Sequence, residues 1–168
     1  MAVKKHILDS VADEEDVLLF VIHATLENYR MAYFLNKHLP VFLAQQEEPY
    51  IIKQAAYESN FILYKYKDSN TQDKFYLVNN ATDIQTAPQG AIFESGALGK
   101  IYLVNELKKA DYFFKILTED SEYYRDSFLT KIQSIPGVIT AYETDYESLK
   151  SKNNLLFEWH QKLKKLKL

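Results

Sequence analysis

Two carboxylates and a phenol lie close together in the middle of the chain. Glu106, Asp111 and Tyr112 fall within seven residues, between an apolar run and an aromatic one. Carboxylates bind cations and exchange protons, so this spacing could make a cation site or an acid–base pair. The same carboxylates could instead accept backbone N–H bonds that shape a turn, with Tyr112 packed in the core. No histidine or third carboxylate lies close in sequence to complete a site, which favours the structural interpretation.

Two side chains upstream could join this group. Asn36 lies in the middle of the apolar face of a predicted helix, where a buried amide must find hydrogen-bond partners or cost about 1–3 kcal/mol. That face consists of Leu26, Tyr29, Ala32, Tyr33, Leu35 and Leu39. His23 ends an apolar run just before the helix. We expect Asn36 to tie down a nearby loop and His23 to pack. The alternative is a small-molecule-binding or enzymatic domain in which Asn36, His23, Glu106 and Asp111 converge on one pocket.

Several patterns that carry chemistry are absent from the sequence. The chain has no Cys, which excludes thiol nucleophiles, disulfides and Cys-ligated zinc and favours a reducing compartment. The four histidines have no metal-binding spacing, and there is no GxSxG motif. Gly90–Lys100 lacks the spacing of a phosphate-binding loop. We therefore predict no catalytic set, no metal and no cofactor, and favour a non-catalytic protein over an enzyme.

The composition indicates one aromatic-rich domain. Of 168 residues, 47% are hydrophobic and 14% aromatic, enough for a sizeable core that favours strands. Aromatic and lysine residues interleave in Tyr64–Lys67, as in platforms that stack on single-stranded RNA, but the net charge of −3 argues against nucleic acid. The longest apolar run, Val17–Ile22, is too short to span a membrane, and no signal-peptide pattern is present. We predict a cytoplasmic protein.

The hydrophobic pattern predicts the elements that position these residues. Strands are expected at Val17–Ile22, Glu58–Tyr66, Lys74–Val78, Lys100–Val104, Asp111–Leu117 and Val138–Thr144, with further short ones at Val3–Leu8, Val41–Leu43 and Tyr50–Ile52. Helices are expected at Thr25–Leu39, with Thr25 as the N-cap, and at Glu119–Gln133. Asp68–Asp73 has the composition of a hairpin turn, and Asn79–Gly99 is predicted to be irregular.

These elements predict an α+β fold. We expect a single, mainly antiparallel sheet with helices packed on one face and a C-terminal strand–helix–strand unit over Asp111–Thr144. Because such a unit normally joins parallel strands, we expect the sheet to be mixed. Residues 1–157 are predicted to form a single α+β domain, and residues 158–168 a basic amphipathic tail helix with four lysines.

Three stretches of the chain follow the pattern of a known signature. In residues 104–112, VNELKKADY, Glu106, Asp111 and Tyr112 match its acidic and tyrosine positions, and Asn105 stands in place of a proline. The other two similar stretches are 28–36 and 134–143, the latter running on to 149–157. The chain therefore resembles the IPExxxVDY family, an uncharacterised bacterial group, from about residue 17 to about residue 157. The resemblance implies no known activity and thus no mechanism.

The predicted strands are apolar on both faces, and this bears on function. One face is expected to meet the helices, and the other to carry Tyr64, Tyr66, Tyr76, Tyr102 and Phe113. A tyrosine ring can be buried while its hydroxyl stays in water, so such a face is covered either by the protein's own segments or by another chain. We predict a non-catalytic protein-binding or self-associating module that acts through this Tyr-rich sheet face or the C-terminal helix.

Overall fold

A computed structural model describes residues 15–54, 57–84 and 99–158. The strands are β1 (Asp16–Ala24), β2 (Ala44–Gln45), β3 (Tyr50–Gln54), β4 (Tyr57–Phe61), β5 (Leu63–Lys67), β6 (Lys74–Asn79), β7 (Ala81–Asp83), β8 (Lys100–Tyr102), β9 (Tyr112–Thr118) and β10 (Val138–Thr144). The helices are α1 (Asn28–His38) and α2 (Ser121–Gln133). Short 3₁₀ turns occur at Asn105–Leu107, Tyr146–Ser148 and Lys152–Leu155. The predicted α+β fold is confirmed.

The main sheet has the strand order β10-β1-β9-β6-β5-β2, and every neighbouring pair is antiparallel. β9 and β10 run in the same direction, as the predicted strand–helix–strand unit requires, but β1 lies between them. In the same way, β9 lies between β1 and β6. The expectation of a mixed sheet is therefore wrong. The unit β9-α2-β10 has β1 between its two strands, and the strands β1 and β6 that flank α1 in the chain have β9 between them. This is the split βαβ arrangement of ferredoxin-like folds, with an added edge and hairpins.

The helices cover one face of the sheet and share a core with it. Leu35 of α1 and Phe128 of α2 are fully buried in this core. Phe75 of β6 stacks on Phe114 of β9 and on Phe128, with ring centroids 6.2 Å apart in both pairs. Burial of each such large side chain contributes about 1.5–3 kcal/mol, so this aromatic stack is a main source of stability for the helix layer.

Both helices begin later than predicted. Thr25 is not the N-cap of α1, because its N–H donates to the carbonyl of Gly137, 2.9 Å away, in the turn before β10. The cap position belongs to Glu27. At α2, the carboxylate of Asp120 accepts a hydrogen bond from the N–H of Tyr123 and so fixes the helix start after Asp120. The start of α1 is thus set by a partner distant in the sequence, and the start of α2 by a capping side chain.

The predicted strand Glu58–Tyr66 is two strands. The N–H of Ile62 donates to Oδ1 of Asn79 at 2.8 Å, so Ile62 takes no part in strand pairing and separates the end of β4 from the start of β5. β4 then pairs with β3 in a separate hairpin, while β5 stays in the main sheet beside β6. This break brings the β3–β4 hairpin onto the second face of the sheet.

Segments of the same chain cover the second face. The side chains in this second core come from β1, β6 and β9, from the β3–β4 hairpin and from the turns after β10, and include Leu19, Val78, Phe113, Tyr50, Phe61, Tyr146, Leu155 and Phe157. Ring contacts tie Phe157 to Tyr50 at 5.0 Å and to Tyr76 at 5.3 Å. The sheet is therefore buried on both sides.

The predicted Tyr-rich sheet face is wrong. Tyr64 and Tyr66 lie on the helix side, whereas Tyr76 and Phe113 lie on the second face. The register of the β5–β6 hairpin is the reason, because it pairs Tyr66 with Phe75 and so places both on the same side. Alternation along one strand fixes which of its side chains share a face, but the register between strands fixes how those faces combine.

Some predicted elements lie outside the described residues. These are the strand Val3–Leu8, most of the tail helix 158–168 and most of the segment Asn79–Gly99. In the ranges that are described, neither helix has the length and apolar character needed to cross a membrane.

Candidate functional site

The connection between β8 and β9 is held by one buried amide, Asn80. Its Nδ2 donates to the carbonyls of Leu107 and Ala110, at 2.8 and 3.0 Å, and its Oδ1 accepts from the N–H of Val104 at 3.0 Å. Its main chain adds hydrogen bonds to both ends of the same connection. Asn80 therefore shapes the stretch that carries the sequence motif. It gives no local signal in the sequence, because its partners lie 24 to 30 residues away.

Asp111 and Tyr112 join the start of β9 to the segment between β1 and α1. Oδ2 of Asp111 accepts from the N–H of Ala24 at 2.9 Å. The hydroxyl of Tyr112 donates to the carbonyl of Leu26. Burial, together with the charge of Asp111, raises the pKa of Tyr112 to about 12. Tyr112 therefore stays a neutral hydrogen-bond donor, and both motif residues bind main-chain groups.

Glu106 anchors the segment that follows β10. Its Oε1 accepts from the N–H of Ser151 at 2.8 Å, and its Oε2 accepts from the Ser151 hydroxyl at 2.7 Å. Partial burial pushes the pKa of Glu106 upward, but the hydrogen bonds from Ser151 outweigh it and lower the pKa overall. Nearby, the amide of Asn154 donates to the carbonyl of Leu103 at 2.8 Å. The two contacts hold the 3₁₀ turns against the β8–β9 connection.

Asn36 and His23 also have structural contacts. The Asn36 amide donates to the carbonyl of Leu43 at 3.0 Å and accepts from its N–H at 2.8 Å, so it fixes the loop after α1 as a paired strand residue would. The imidazole of His23 is half-buried and stacks on the ring of Tyr142, with centroids 5.8 Å apart. Each side chain occupies the role expected for a residue that shapes the fold.

In the described part of the chain, the predicted site residues are divided between two depressions, and Asn36 lies apart from both. His23 and Glu106 line a shallow depression of about 390 Å³. Asp111 and Tyr112 line a different one of about 310 Å³. Asn36 lines neither, because its amide faces Leu43 beside the edge of the sheet. Among the described residues no three His, Cys, Asp or Glu side chains are grouped so that they could hold a metal ion.

A buried lysine on the second face was not predicted from the sequence. Lys115 of β9 is only 2% exposed. Its Nζ donates to the carbonyl of Leu155 at 2.8 Å and to Oε1 of Glu158 at 3.2 Å, and it lies 5.0 Å from the ring centroid of Tyr146. Burial lowers the pKa of Lys115, and Glu158 offsets part of this effect. A single charge inside the apolar run YFFKILT was the available signal.

The outward side of α1 is exposed and aromatic. Tyr29 and Tyr33 are 62% and 59% exposed, and they lie one turn apart on the same side of the helix. Arg30 and Lys37 are exposed too, and α1 contains no acidic residue. We call Tyr29, Arg30, Tyr33 and Lys37 the α1 face. The expectation that both tyrosines lie on the buried side is wrong, because the buried residues of α1 are Met31, Ala32 and Leu35, with Phe34 packed against the same core.

These contacts define an α+β domain of split βαβ topology whose central polar residues bind main-chain groups of the same chain. Comparison with protein-family models, with curated proteins and with solved structures finds no match to this chain. The resemblance to the IPExxxVDY family stays a prediction from the residues that carry it.

Replacement of Glu106 by Gln tests its anchoring role. We expect a loss of less than about 1 kcal/mol at neutral pH, because the carboxylate is exposed and water weakens its bonds to Ser151. The folded-state pKa is lowered from 4.5, so this contribution is present above that value and is lost as the pH falls through the folded-state pKa. Urea unfolding at neutral pH and at pH values below 4.5 should therefore show a difference that is full at neutral pH and shrinks as the pH falls. An equal difference at all these pH values would contradict this role.

Proposed function

We propose that this chain is a non-catalytic protein-binding or self-associating module and that it binds through the α1 face. The observation that carries the proposal is the exposure of Tyr29 and Tyr33 on one side of the helix, with the exposed Arg30 beside them. Tyrosine and arginine are enriched in the hot spots of protein interfaces, because they bury a large contact area and keep a polar group for hydrogen bonding.

The edge strand β10 supports the choice of α1. At β10, Nε2 of Gln133 donates to the carbonyl of Ala141 at 2.8 Å, and Nε of Arg125 pairs with Glu143 at 2.8 Å. The pairing of β10 with β1 is also irregular next to His23. Capped carbonyls, charges and irregular pairing protect an edge strand from pairing with another chain. A partner is therefore better accommodated by side chains on α1 than by the backbone of β10.

The charge of the α1 face indicates the character of the partner. Arg30 and Lys37 give the exposed side of α1 a positive charge, in a chain whose net charge is −3. Complementary charge at an interface speeds association and disfavours wrong partners. We therefore expect the partner surface to be acidic, with apolar area to cover the two tyrosine rings.

Loss of both exposed rings tests this function. Tyr29→Ala combined with Tyr33→Ala should reduce binding at least about tenfold, because truncation of a hot-spot tyrosine commonly costs 2 kcal/mol or more. The melting temperature should change little, since both rings point into solvent. The measurement uses immobilised protein and scores the bound protein, including untagged copies of this chain, by quantitative mass spectrometry.

A matched control removes exposed apolar side chains from a different element, the edge strand β10. Ile139 and Tyr142 of β10 are 70% and 38% exposed, so Ile139→Ala with Tyr142→Ala deletes comparable surface. Binding should survive this change. If the β10 variant loses the bound protein and the α1 variant keeps it, the α1 face is the wrong surface.

A small-molecule-binding domain is the second candidate, and one observation favours it. The depression beside Asp111 and Tyr112 shares lining residues with a neighbouring one of about 440 Å³. In the latter, Oδ1 of Asn60 is buried and makes no hydrogen bond with any described residue. A ligand that raises the melting temperature of the wild type, but not of a Lys100→Ala variant, would support this candidate, because Lys100 lines both depressions.

A further inference from the structure

An acidic depression lies just beyond the C-terminal end of α1. It measures about 560 Å³ and lies between the loop after α1 and the start of α2. Four of its lining side chains are acidic: Asp68, Asp73, Glu119 and Asp120. Glu119 and Asp120 are exposed, and the ring of Tyr123 beside them is 60% exposed. The depression thus combines negative charge with accessible aromatic surface.

The acidic depression and the α1 face are complementary and adjacent. The α1 face is positive and aromatic, and the depression is negative and aromatic. Pro40, which lines the depression, follows the last residue of α1 by two positions. The 11 residues of α1 extend over about 16 Å, so Tyr29 and Arg30 lie roughly one helix length from the depression, whereas Lys37 is only three positions before Pro40. An antiparallel arrangement of two α1 helices would place the N-terminal part of each against the depression of the other.

We propose that the partner of the α1 face is a second copy of this chain, in a two-fold dimer in which Arg30 and the adjacent tyrosines of each protomer dock on the Glu119 side of the other protomer's depression. The inference rests on the proposed function and names its partner. A two-fold axis makes the same contact twice, so each pair of complementary surfaces is used and the assembly closes at two subunits. Antiparallel helices also bring opposite ends of their dipoles together.

Charge reversal tests the dimer and its geometry. Sedimentation velocity over a concentration series should show the wild type as a reversible dimer. Arg30→Glu and Glu119→Lys should each weaken dimerisation about tenfold or more, because each reversal sets like charges against each other at both contacts. An equimolar mixture of the two variants should recover the dimer, since every contact then joins opposite charges again. Neither side chain makes a buried contact, so both variants should keep the wild-type circular dichroism spectrum.

The outcomes separate the dimer from the proposed function. A wild type that stays monomeric up to its solubility limit overturns the dimer. If that monomer still captures another protein through Tyr29 and Tyr33, the proposed function survives alone. A dimer that tolerates both reversals, or a mixture that fails to recover it, also overturns the docking of Arg30 on the Glu119 side.

Discussion

Asn80→Ala should lower the free energy of unfolding by about 3–5 kcal/mol. The change removes three side-chain hydrogen bonds at once and leaves the N–H of Val104 and the carbonyl of Ala110 without this partner, whereas the carbonyl of Leu107 still accepts from the N–H of Ala110. Each buried polar group without a partner costs about 1–3 kcal/mol, and water can reach only part of this connection. The loss is measured by equilibrium unfolding in urea. The wild type and the variant are compared with a shared value of m, the slope of the unfolding free energy against urea concentration.

Two further variants separate the hydrogen bonds of Asn80 from the loss of an amide in general. Asn105→Ala removes an exposed amide from the same connection and should change stability by no more than about 0.5 kcal/mol. Asn80→Asp keeps the acceptor for Val104 but places a carboxylate against two carbonyls, so it should be more harmful at neutral pH than near pH 4, where the carboxyl becomes a donor. Equal losses for Asn80→Ala and Asn105→Ala would refute the role of Asn80.

Lys115→Ala should be the other severe change, at about 3–5 kcal/mol. It removes a fully buried side chain, leaving a cavity in the second core, and it removes the donor to the carbonyl of Leu155. Glu158 also loses its cation, although its partial exposure to water reduces that part of the loss. The measurement is urea unfolding together with hydrogen exchange, and exchange should rise first in the turns at Tyr146–Ser148 and Lys152–Leu155.

A substitution by methionine separates the contribution of the side-chain volume of Lys115 from that of its charge. Lys115→Met keeps the volume of the side chain and loses the ammonium, so it should cost less, about 1–3 kcal/mol. Lys67→Met makes the same chemical change at an exposed position of β5 and should be nearly neutral. If Lys115→Met matched Lys67→Met, the ammonium would have no part in holding the C-terminal turns.

Much of the fold follows from local patterns. Val138–Thr144 was predicted as a strand with the bounds it has in the structure, because a proline–glycine turn precedes it and Asp145 follows it. The turn at Asp68–Asp73 is also confirmed, since Asp68 accepts from the N–H groups of Asn70 and Thr71. These features depend on neighbours within a few residues, which a sequence displays directly.

The parts that could not be predicted depend on partners far along the chain. Alternation could not show that Tyr66 and Phe75 share a face, because that follows from the hairpin register. Thr25 has the residue type of an N-cap, yet its partner is Gly137, 112 residues away. In the same way, the structural roles of Glu106 and Asp111 were favoured from their setting, but Ser151 and Ala24 could not be named as their partners.

The central claim is that the motif builds the fold and the α1 face binds, and one measurement tests both parts. Glu106→Gln and Tyr29→Ala/Tyr33→Ala are compared with the wild type for bound protein, with melting temperature recorded on the same samples. We predict that the Glu106 variant is slightly less stable and keeps its bound protein, whereas the tyrosine variant keeps its stability and loses the bound protein. The opposite pattern, with binding lost at Glu106 and retained without the two tyrosines, would contradict the claim.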